Sequence, residues 1–310
     1  MDLSVVIPLY NEEESVGELT DWICRVLNAK GLAFEIIIVD DGSTDSSWDK
    51  IKNIQTTTPE LKAIRFRRNY GKSAALNTGF NAVRGDVVIT LDADLQDSPD
   101  ELPELYDMID KEGFDMVSGW KKKRHDPISK TIPSKFFNWM TQKLSGIKLH
   151  DFNSGIKAYN AEVTKSIEVY GEMHRYIPVI AKSAGFGNIS EKVVTHYPRK
   201  FGKTKYGLER IMRGFLDLLS ITFIGKFGKR PMHFFGSMGT VLSLCGFIML
   251  LYLTIEKIFY ETPGIASRPL FYLGILLIIV GVQLFIAGFL AELITRNSPG
   301  RNDYGIAETI

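Results

Sequence analysis

The 310-residue sequence contains few cysteines and no excess of either charge. Its two cysteines, Cys24 and Cys245, lie outside any CxxC or Cys/His cluster, which excludes a disulfide framework and argues against structural zinc. Lys and Arg number 37 against 36 Asp and Glu, so the net charge of +1 predicts no nucleic-acid partner. The GxGxxG nicotinamide fingerprint is absent after the first predicted strand, and no GxxxxGK(S/T) phosphate loop occurs. These absences argue against a dehydrogenase and an ordinary NTPase.

Two long stretches lack Asp, Glu, Lys and Arg altogether. They run from His233 to Ile255 and from Leu270 to Ala291, and each is just over 20 residues long. A helix needs roughly 20 residues to cross the hydrocarbon core of a bilayer, so both stretches are predicted to be transmembrane helices. A pair of buried helices in a soluble core is the alternative, although uncharged apolar runs of this length are rare there.

Basic residues are distributed unevenly around these two stretches. The connecting segment holds Lys257 and Arg268, whereas the flanks hold Arg210, Arg213, Lys226, Lys229, Arg230, Arg296 and Arg301. The positive-inside rule therefore predicts that both termini lie in the cytoplasm. The two spans predict a multi-pass protein, and the expected location is the cytoplasmic (inner) membrane. Basic and apolar residues alternate at helical spacing before the first stretch, which predicts an interfacial helix. The predicted domains are 1–207 (soluble), 208–230 (interfacial), 231–296 (membrane hairpin) and 297–310 (cytoplasmic tail).

Strand and helix patterns alternate through the first hundred residues. The strands read LSVVIPLY, FEIIIVDD, LKAIRF and DVVITLDAD, and helical patterns separate them over Asn11–Leu27, Ser46–Ile54 and Lys72–Val83. A further helix is expected near Pro99–Lys111 and a short strand at Asp115–Ser118. This alternation predicts an α/β fold with a doubly wound, mostly parallel sheet, whose ligands bind at the carboxyl ends of the strands. Asp40, Asp41, Asp92 and Asp94 all lie at such ends.

The DADLQ segment supplies hard oxygen donors in a short space. Asp92 and Asp94 stand one residue apart at the end of a predicted strand, and Gln96 follows. Such a set suits Mg²⁺ or Mn²⁺ that is also held by phosphate oxygens, and a divalent ion there would neutralise a departing nucleotide diphosphate. Taken alone, an Asp-x-Asp pair is more often part of an ordinary surface loop than a metal site.

Three motifs in order give the DADLQ segment a context. IPLYNEEE, VDDGSTD and TLDADLQ each stand at the carboxyl end of a predicted strand. In this order they resemble the inverting nucleotide-sugar glycosyltransferases of the GT-A fold, and within them the polyprenyl-phosphate branch of dolichyl-phosphate mannose synthases and bactoprenol glucosyltransferases. The resemblance runs from Leu3 to about Gly207, so 1–207 is the expected catalytic domain. The two predicted spans resemble the bactoprenol branch, whose members can form homotetramers.

The resemblance implies roles for individual residues. The nucleotide would be bound by Pro8, Tyr10, Glu12, Val39, Asp41 and Asp92, and the metal by Asp92, Asp94 and Gln96. Asp40, Gly42 and Ser43 are equally well explained as a turn. Phosphate groups would be bound by Lys121, Arg124, Lys130, Ser134, Arg199 and Lys205. Relatives usually carry Arg at the positions of Lys121 and Lys130, so this chain keeps the charge there and loses bidentate geometry.

Two further segments match the family. Arg199 begins RKFGKTKY, which resembles the family's RxxGxSKY with Thr in place of Ser, and it is expected to act with Asp94 and Asp151 in catalysis. A plain juxtamembrane basic linker is the alternative. Asp151 in DFNSG is the candidate base, but a phosphate acceptor with a second pKa of about 6 is already mostly dianionic at neutral pH. His174 is expected to be structural.

The expected reaction is transfer of one hexose, with glucose favoured, from a nucleotide diphosphate sugar such as UDP-glucose to undecaprenyl phosphate, with inversion. A processive polysaccharide synthase is an alternative, but it should carry a QxxRW motif and more spans. A non-enzymatic nucleotide-sugar sensor is another, and the intact Asp92, Asp94, Gln96 and Arg199 argue against it. A transporter is a poor fit, since two spans do not make an alternating pathway without oligomerisation.

Overall fold

The computed structural model describes residues 1–122, 138–198, 223, 227, 231–260 and 264–296. The side chains of Tyr260, Thr295 and Arg296 are outside this description. The chain divides into two compact units, Met1–Thr222 and Phe223–Ile310.

The first half of unit one alternates strand and helix. It consists of β1 (Leu3–Leu9), α1 (Val16–Lys30), β2 (Phe34–Asp40), α2 (Ser47–Gln55), β3 (Leu61–Arg65), α3 (Lys72–Ala82) and β4 (Val87–Thr90). Nearly every residue of β1, β2 and β4 is buried, which explains their continuous runs of Val and Ile. Helix α1 buries only one face, so its apolar residues recur at helical spacing.

The second half of unit one is less regular. It contains a 3₁₀ turn (Pro99–Glu101), α4 (Leu102–Asp110), β5 (Met116–Trp120), a helix α5 described over 138–145, β6 (Lys157–Asn160), α6 (Ala161–Ser166), a 3₁₀ turn (Met173–Arg175), α7 (Ile177–Ser183) and β7 (Ile189–Val193). The predicted strand at Asp115–Ser118 corresponds to β5, and the predicted helix at Pro99–Lys111 corresponds to the first 3₁₀ turn with α4.

The seven strands form one sheet in the order β3-β2-β1-β4-β6-β5-β7. All neighbours are parallel except those of β6, which runs antiparallel to both β4 and β5. Separate apolar clusters cover the two faces, one including α1 and α4 and the other including α3 and α7. The sheet is therefore doubly wound and mostly parallel. The chain order reverses between β1 and β4, and a ligand crevice is expected at the carboxyl ends of strands at such a point.

Unit two contains the two apolar helices, α8 (Pro231–Tyr260) and α9 (Pro269–Arg296). Pro231–Phe259 and Pro269–Ile294 are long and apolar enough to cross a membrane, and only 17% of each is buried, unlike a soluble core helix. The two helices approach closely at Gly239 and Gly281. A Cβ added to Gly239 would lie 2.5 Å from the Gly281 carbonyl oxygen, so glycine permits this backbone contact.

Candidate active site

A cavity of about 340 Å³ opens at the carboxyl edge of the sheet in unit one. Strands β1, β2 and β4 all end at this edge, because they run parallel. The residues that line the cavity come from three of the sequence motifs and from two other segments. They are Pro8, Leu9, Tyr10, Glu12, Asp41, Asn69, Gly71, Lys72, Ala75, Asp92, Ala93, Asp94 and Glu172.

The segment after β1 brings Tyr10 and Glu12 to the cavity. Between them, Asn11 has a φ of 54°, an uncommon conformation for a residue other than glycine. Its backbone N–H donates to Ser43 Oγ at 2.9 Å, and its Oδ1 accepts from the N–H of Thr44 at 2.8 Å. The motifs at the ends of β1 and β2 are thus hydrogen-bonded to each other, and these bonds hold one wall of the cavity in place.

Asp41 is buried at the end of β2, and its carboxylate accepts hydrogen bonds from backbone N–H groups. It accepts from the N–H groups of Tyr70 at 2.6 Å and Gly71 at 2.9 Å, which holds the segment before α3 in place. Burial raises the pKa of Asp41 despite these hydrogen bonds, and the neighbouring Asp40 also raises it. Asp41 lines the cavity as the sequence predicts, and it also builds the cavity wall.

Asp40, Gly42 and Ser43 form the turn that the sequence offered as an alternative. The Asp40 carboxylate accepts from the N–H of Ser43 at 2.8 Å and lies 3.4 Å from the Arg65 guanidinium. Gly42 has a φ of 71°, and a Cβ there would lie 2.5 Å from the carbonyl carbon of Arg68. A side chain at position 42 would therefore disrupt the turn.

Asp92 and Asp94 follow β4, and both line the cavity. The side chain between them, Ala93, is buried, and Leu95 follows with a φ of 58°. This left-handed residue turns the chain sharply after the second carboxylate, and such backbone strain is often found at functional sites. Asp94 Oδ1 also accepts from the N–H of Gln96 at 3.2 Å.

The two carboxylates fit a divalent cation by the chemistry of their donors. Both present hard oxygen atoms to one cavity that has room for phosphate oxygens as further ligands. Among the described residues, no cluster of three or more His, Cys, Asp or Glu could hold a metal by itself. Gln96 is not among the residues that line the cavity. Its side-chain Nε2 lies 3.4 Å from the Tyr197 carbonyl oxygen.

Two other predicted site residues are not among those that line the cavity. Val39 is fully buried in a cluster with Ile37 and Ala75, because its side chain points into the sheet face that α3 covers. Asp151 is 2% exposed, and its Oδ1 accepts from the N–H of Asn153 at 3.1 Å. The predicted nucleotide contact of Val39 and the predicted base role of Asp151 stay predictions.

Lys121 forms an ion pair with a carboxylate outside the cavity lining. Its ammonium lies 2.7 Å from Oδ1 of the buried Asp97, and its predicted role in phosphate binding stays a prediction. Arg124, Lys130, Ser134, Arg199 and Lys205 lie outside the described residues.

Lys72 and Glu172 line the cavity, although sequence reasoning assigned them no role. Lys72 begins α3 directly after Gly71, and its ammonium pairs with Asp92. The sequence signal for Lys72 is the Gly-Lys pair at the start of a helix that follows a strand of this sheet. Glu172 had no local signal, because the segment that carries it reaches the cavity through tertiary packing. His174, two residues later, contacts Ser73 Oγ at 3.0 Å and is buried, in agreement with a structural role.

Solved structures with the same fold support the assignment of the architecture. A glucosyl-3-phosphoglycerate synthase from Mycobacterium tuberculosis, crystallised with Mn²⁺, UDP and phosphoglyceric acid, matches with a TM-score of 0.55 at 20% identity. The match covers 72% of this chain and 78% of that one. Mannosyl-3-phosphoglycerate synthase from Rubrobacter xylanophilus matches with a TM-score of 0.57 at 19% identity, covering 73% and 75%. The GT-A fold expected from the sequence is confirmed.

Relatives of known name extend over nearly the whole chain. Dodecaprenyl-phosphate galacturonate synthase of Rhizobium johnstonii is 37% identical over 96% of this chain and 88% of its own length. An undecaprenyl-phosphate 4-deoxy-4-formamido-L-arabinose transferase of Edwardsiella ictaluri is 33% identical over 95% and 89%. Residues 4–167 match the model of glycosyl transferase family 2. The chain belongs to glycosyl transferase family 2, and the resemblance inferred from its three motifs is confirmed.

Proposed function

We propose that this protein transfers a single sugar from a nucleotide diphosphate sugar to a polyprenyl phosphate, with inversion, at the cytoplasmic face of a membrane. The observation that carries the proposal is the cavity, where Pro8, Tyr10, Glu12 and the two carboxylates of the DAD motif meet. The polyprenyl-phosphate relatives, which match over both units of the chain, support the acceptor. Two helices apolar enough to span a membrane suit an acceptor with a long hydrocarbon tail.

The identity of the sugar is the part that changes most from the sequence-based expectation. Glucose was favoured there, but the relatives named above act with galacturonate and with 4-deoxy-4-formamido-L-arabinose. We therefore place these two sugars ahead of glucose. The greater identity to the galacturonate synthase makes a uronic acid the first donor sugar to test.

Different residues of the cavity would have different roles in such a reaction. The nucleotide would lie against the segment after β1 and the segment before α3, which Asp41 holds in place. Asp92 and Asp94 would hold a divalent ion, Mg²⁺ or Mn²⁺, which when bound would neutralise the charge of the leaving diphosphate. The acceptor phosphate needs no strong base, since it is mostly dianionic at neutral pH.

The test is transfer of radiolabelled sugar by the detergent-solubilised full chain to undecaprenyl phosphate, followed by extraction into butanol. The donors are UDP-galacturonate, UDP-4-deoxy-4-formamido-L-arabinose, UDP-glucose, UDP-N-acetylglucosamine and GDP-mannose, each with Mn²⁺, Mg²⁺ or EDTA. We expect extractable label from one donor, and we expect EDTA to abolish it. Asp94→Asn should lower the rate about a hundredfold or more, because the variant would hold less tightly the divalent ion that neutralises the departing diphosphate.

Asp110→Asn is the matched control, since Asp110 is exposed at the end of α4 and away from the cavity. It should leave the rate unchanged. No extractable label from any donor, in protein whose folding is verified, would contradict the polyprenyl-phosphate acceptor. Label that forms a growing polymer would instead support a processive synthase.

A further inference from the structure

The carboxylate of Asp92 has a partner on each side. Its Oδ1 accepts from the Lys72 ammonium in a close ion pair, and about 30% of each side chain is exposed. Its Oδ2 lies against Gly155, where an added Cβ would come within 2.3 Å of that oxygen. The carboxylate therefore lies in a slot between an ammonium group and the chain backbone.

Both sides of this slot are anchored to the fold. Lys72 is the first residue of α3, and the preceding residue, Gly71, donates its N–H to Asp41. The carbonyl oxygen of Gly155 accepts from Thr90 Oγ1 at 2.9 Å, which fixes it beside the end of β4. The lysine side chain is the part of this arrangement that can move, since its flexible stem carries the charge into an open cavity.

We propose that Lys72 is an exchangeable counter-cation of Asp92, which pairs with it in the metal-free protein and transfers to the donor diphosphate when metal and donor bind. This proposal rests on the proposed function, because it takes a nucleoside diphosphate and a divalent ion as the ligands. Because Oδ2 of Asp92 faces Gly155, an incoming cation competes with the Lys72 ammonium for Oδ1, and the ammonium repels that cation. The diphosphate supplies the ammonium with a new anionic partner.

The consequence is positive coupling between metal and donor. Metal binding alone is weak, because it displaces Lys72 without offering that side chain another anion. Diphosphate binding removes this cost, so each ligand strengthens the other by the same factor. Free divalent ions would thus bind the site more weakly before the donor arrives than after it.

The experiment compares the wild-type full chain with Lys72→Gln, in detergent, by two binding measurements that need no turnover. Mn²⁺ affinity without nucleotide is measured by electron paramagnetic resonance of the free ion, and UDP or GDP affinity at saturating Mn²⁺ by calorimetry. We expect Lys72→Gln to bind Mn²⁺ alone about tenfold more tightly and the nucleoside diphosphate about tenfold more weakly, within the usual range of coupling between sites. These opposite signs distinguish an exchanging cation from a simple phosphate ligand.

Two further variants keep the result interpretable. Lys72→Arg retains the charge and should resemble wild type in Mn²⁺ affinity, which separates loss of the charge from loss of the lysine side chain. Lys52→Gln removes a surface ion pair, Lys52 to Asp49 at 2.7 Å, and should change neither affinity. Unchanged or weaker Mn²⁺ binding in folded Lys72→Gln would overturn the proposal, whatever its effect on the nucleotide. Tighter Mn²⁺ binding combined with no sugar transfer to any lipid phosphate would support it and contradict only the proposed acceptor.

Discussion

At the scale of a single residue, Lys157 on β6 carries its charge into the interior. The residue is 3% exposed, and its ammonium donates to the carbonyl oxygen of Ser154. Burial, assisted by the neighbouring Lys72 ammonium, lowers the pKa of Lys157 to about 7. The unfolded chain has the ordinary lysine value of about 10.4, so between these values the unfolded state binds a proton that the folded state does not.

This difference predicts how stability depends on pH. Between about pH 7 and pH 10, the Lys157 contribution to the free energy of unfolding should rise with pH, because the unfolded state binds more protons. Lys157→Met should therefore raise the melting temperature most at or below pH 7, where a buried charge is removed, and little near pH 10. At pH 7, the free energy of unfolding of Lys157→Met should exceed that of wild type by on the order of a few kcal/mol.

Thermal unfolding followed by tryptophan fluorescence provides the measurement, since all four tryptophans lie in unit one. Lys148→Met, at an exposed position, is the control and should leave the pH profile as in wild type. A gain in melting temperature that is equal at pH 7 and pH 10 would show that packing, rather than the charge, is responsible.

The residues of the cavity were predictable to the extent that each follows a strand. Asp41, Asp92 and Asp94 could be placed together from sequence, because parallel strands end at one edge of a sheet. Val39, whose side chain packs beside Ala75 of α3, stays a predicted nucleotide contact. Glu172 was not predictable at all, because its approach depends on tertiary packing of residues far along the chain.

At the scale of elements, a buried ion pair connects the segment after the DAD motif to β5 and to the residues after β7. Asp97 is 1% exposed, lies 2.7 Å from Lys121 and 3.5 Å from His196 Nδ1, and forms an isolated bridge with His196. Burial would raise the pKa of Asp97, but Lys121 and His196 lower it to about 2. The pair fixes the two chain segments that lead into the predicted phosphate-binding residues.

Asp97→Asn should therefore destabilise unit one. The substitution keeps the shape and leaves the Lys121 ammonium largely buried without its counter-charge, which costs about 3 kcal/mol. For a unit of this size, the melting temperature should fall by about 10 °C, measured again by tryptophan fluorescence.

A double-mutant cycle identifies the cause of that loss. In Asp97→Asn combined with Lys121→Met, the uncompensated charge is gone, and the double variant should recover much of the stability that the single change removes. Losses that simply add would mean that the two groups do not interact, contrary to their 2.7 Å separation.

The order of elements was predictable only where strand and helix alternate. The first four strands were identified from sequence, because buried parallel strands read as continuous apolar runs. The position of β6 between β4 and β5 was not, since antiparallel insertion depends on pairing between distant segments that local patterns do not encode. The predicted start of α1 at Asn11 was too early, because Asn11 adopts a left-handed turn beside the cavity and the helix begins at Val16.

At the scale of the whole molecule, composition identified the two apolar helices and underestimated their length. The uncharged stretches end at Ile255 and Ala291, whereas the helices continue to Tyr260 and Arg296. Charged residues are compatible with helix ends that emerge from a hydrocarbon core, so the first charge along the chain does not mark a helix terminus.

The orientation of these helices leads to a prediction about the whole chain. Of the two cations between the spans, Arg268 forms an ion pair with Glu256 at 2.6 Å, so the connecting segment carries little unpaired positive charge to retain it in the cytoplasm. We therefore expect Ser267, in the turn before α9, to lie outside the cytoplasm, and Glu112, exposed in unit one, to lie inside.

Single cysteines test this orientation in a background where Cys24 and Cys245 are replaced by Ser. In right-side-out vesicles of the host's cytoplasmic membrane, a membrane-impermeant maleimide should label Ser267→Cys at once and Glu112→Cys only after detergent is added. Sugar transfer by each variant serves as the control for folding. Labelling of Glu112→Cys in sealed vesicles would place unit one on the opposite side, away from a cytoplasmic nucleotide sugar, and would contradict the proposed membrane face of the reaction.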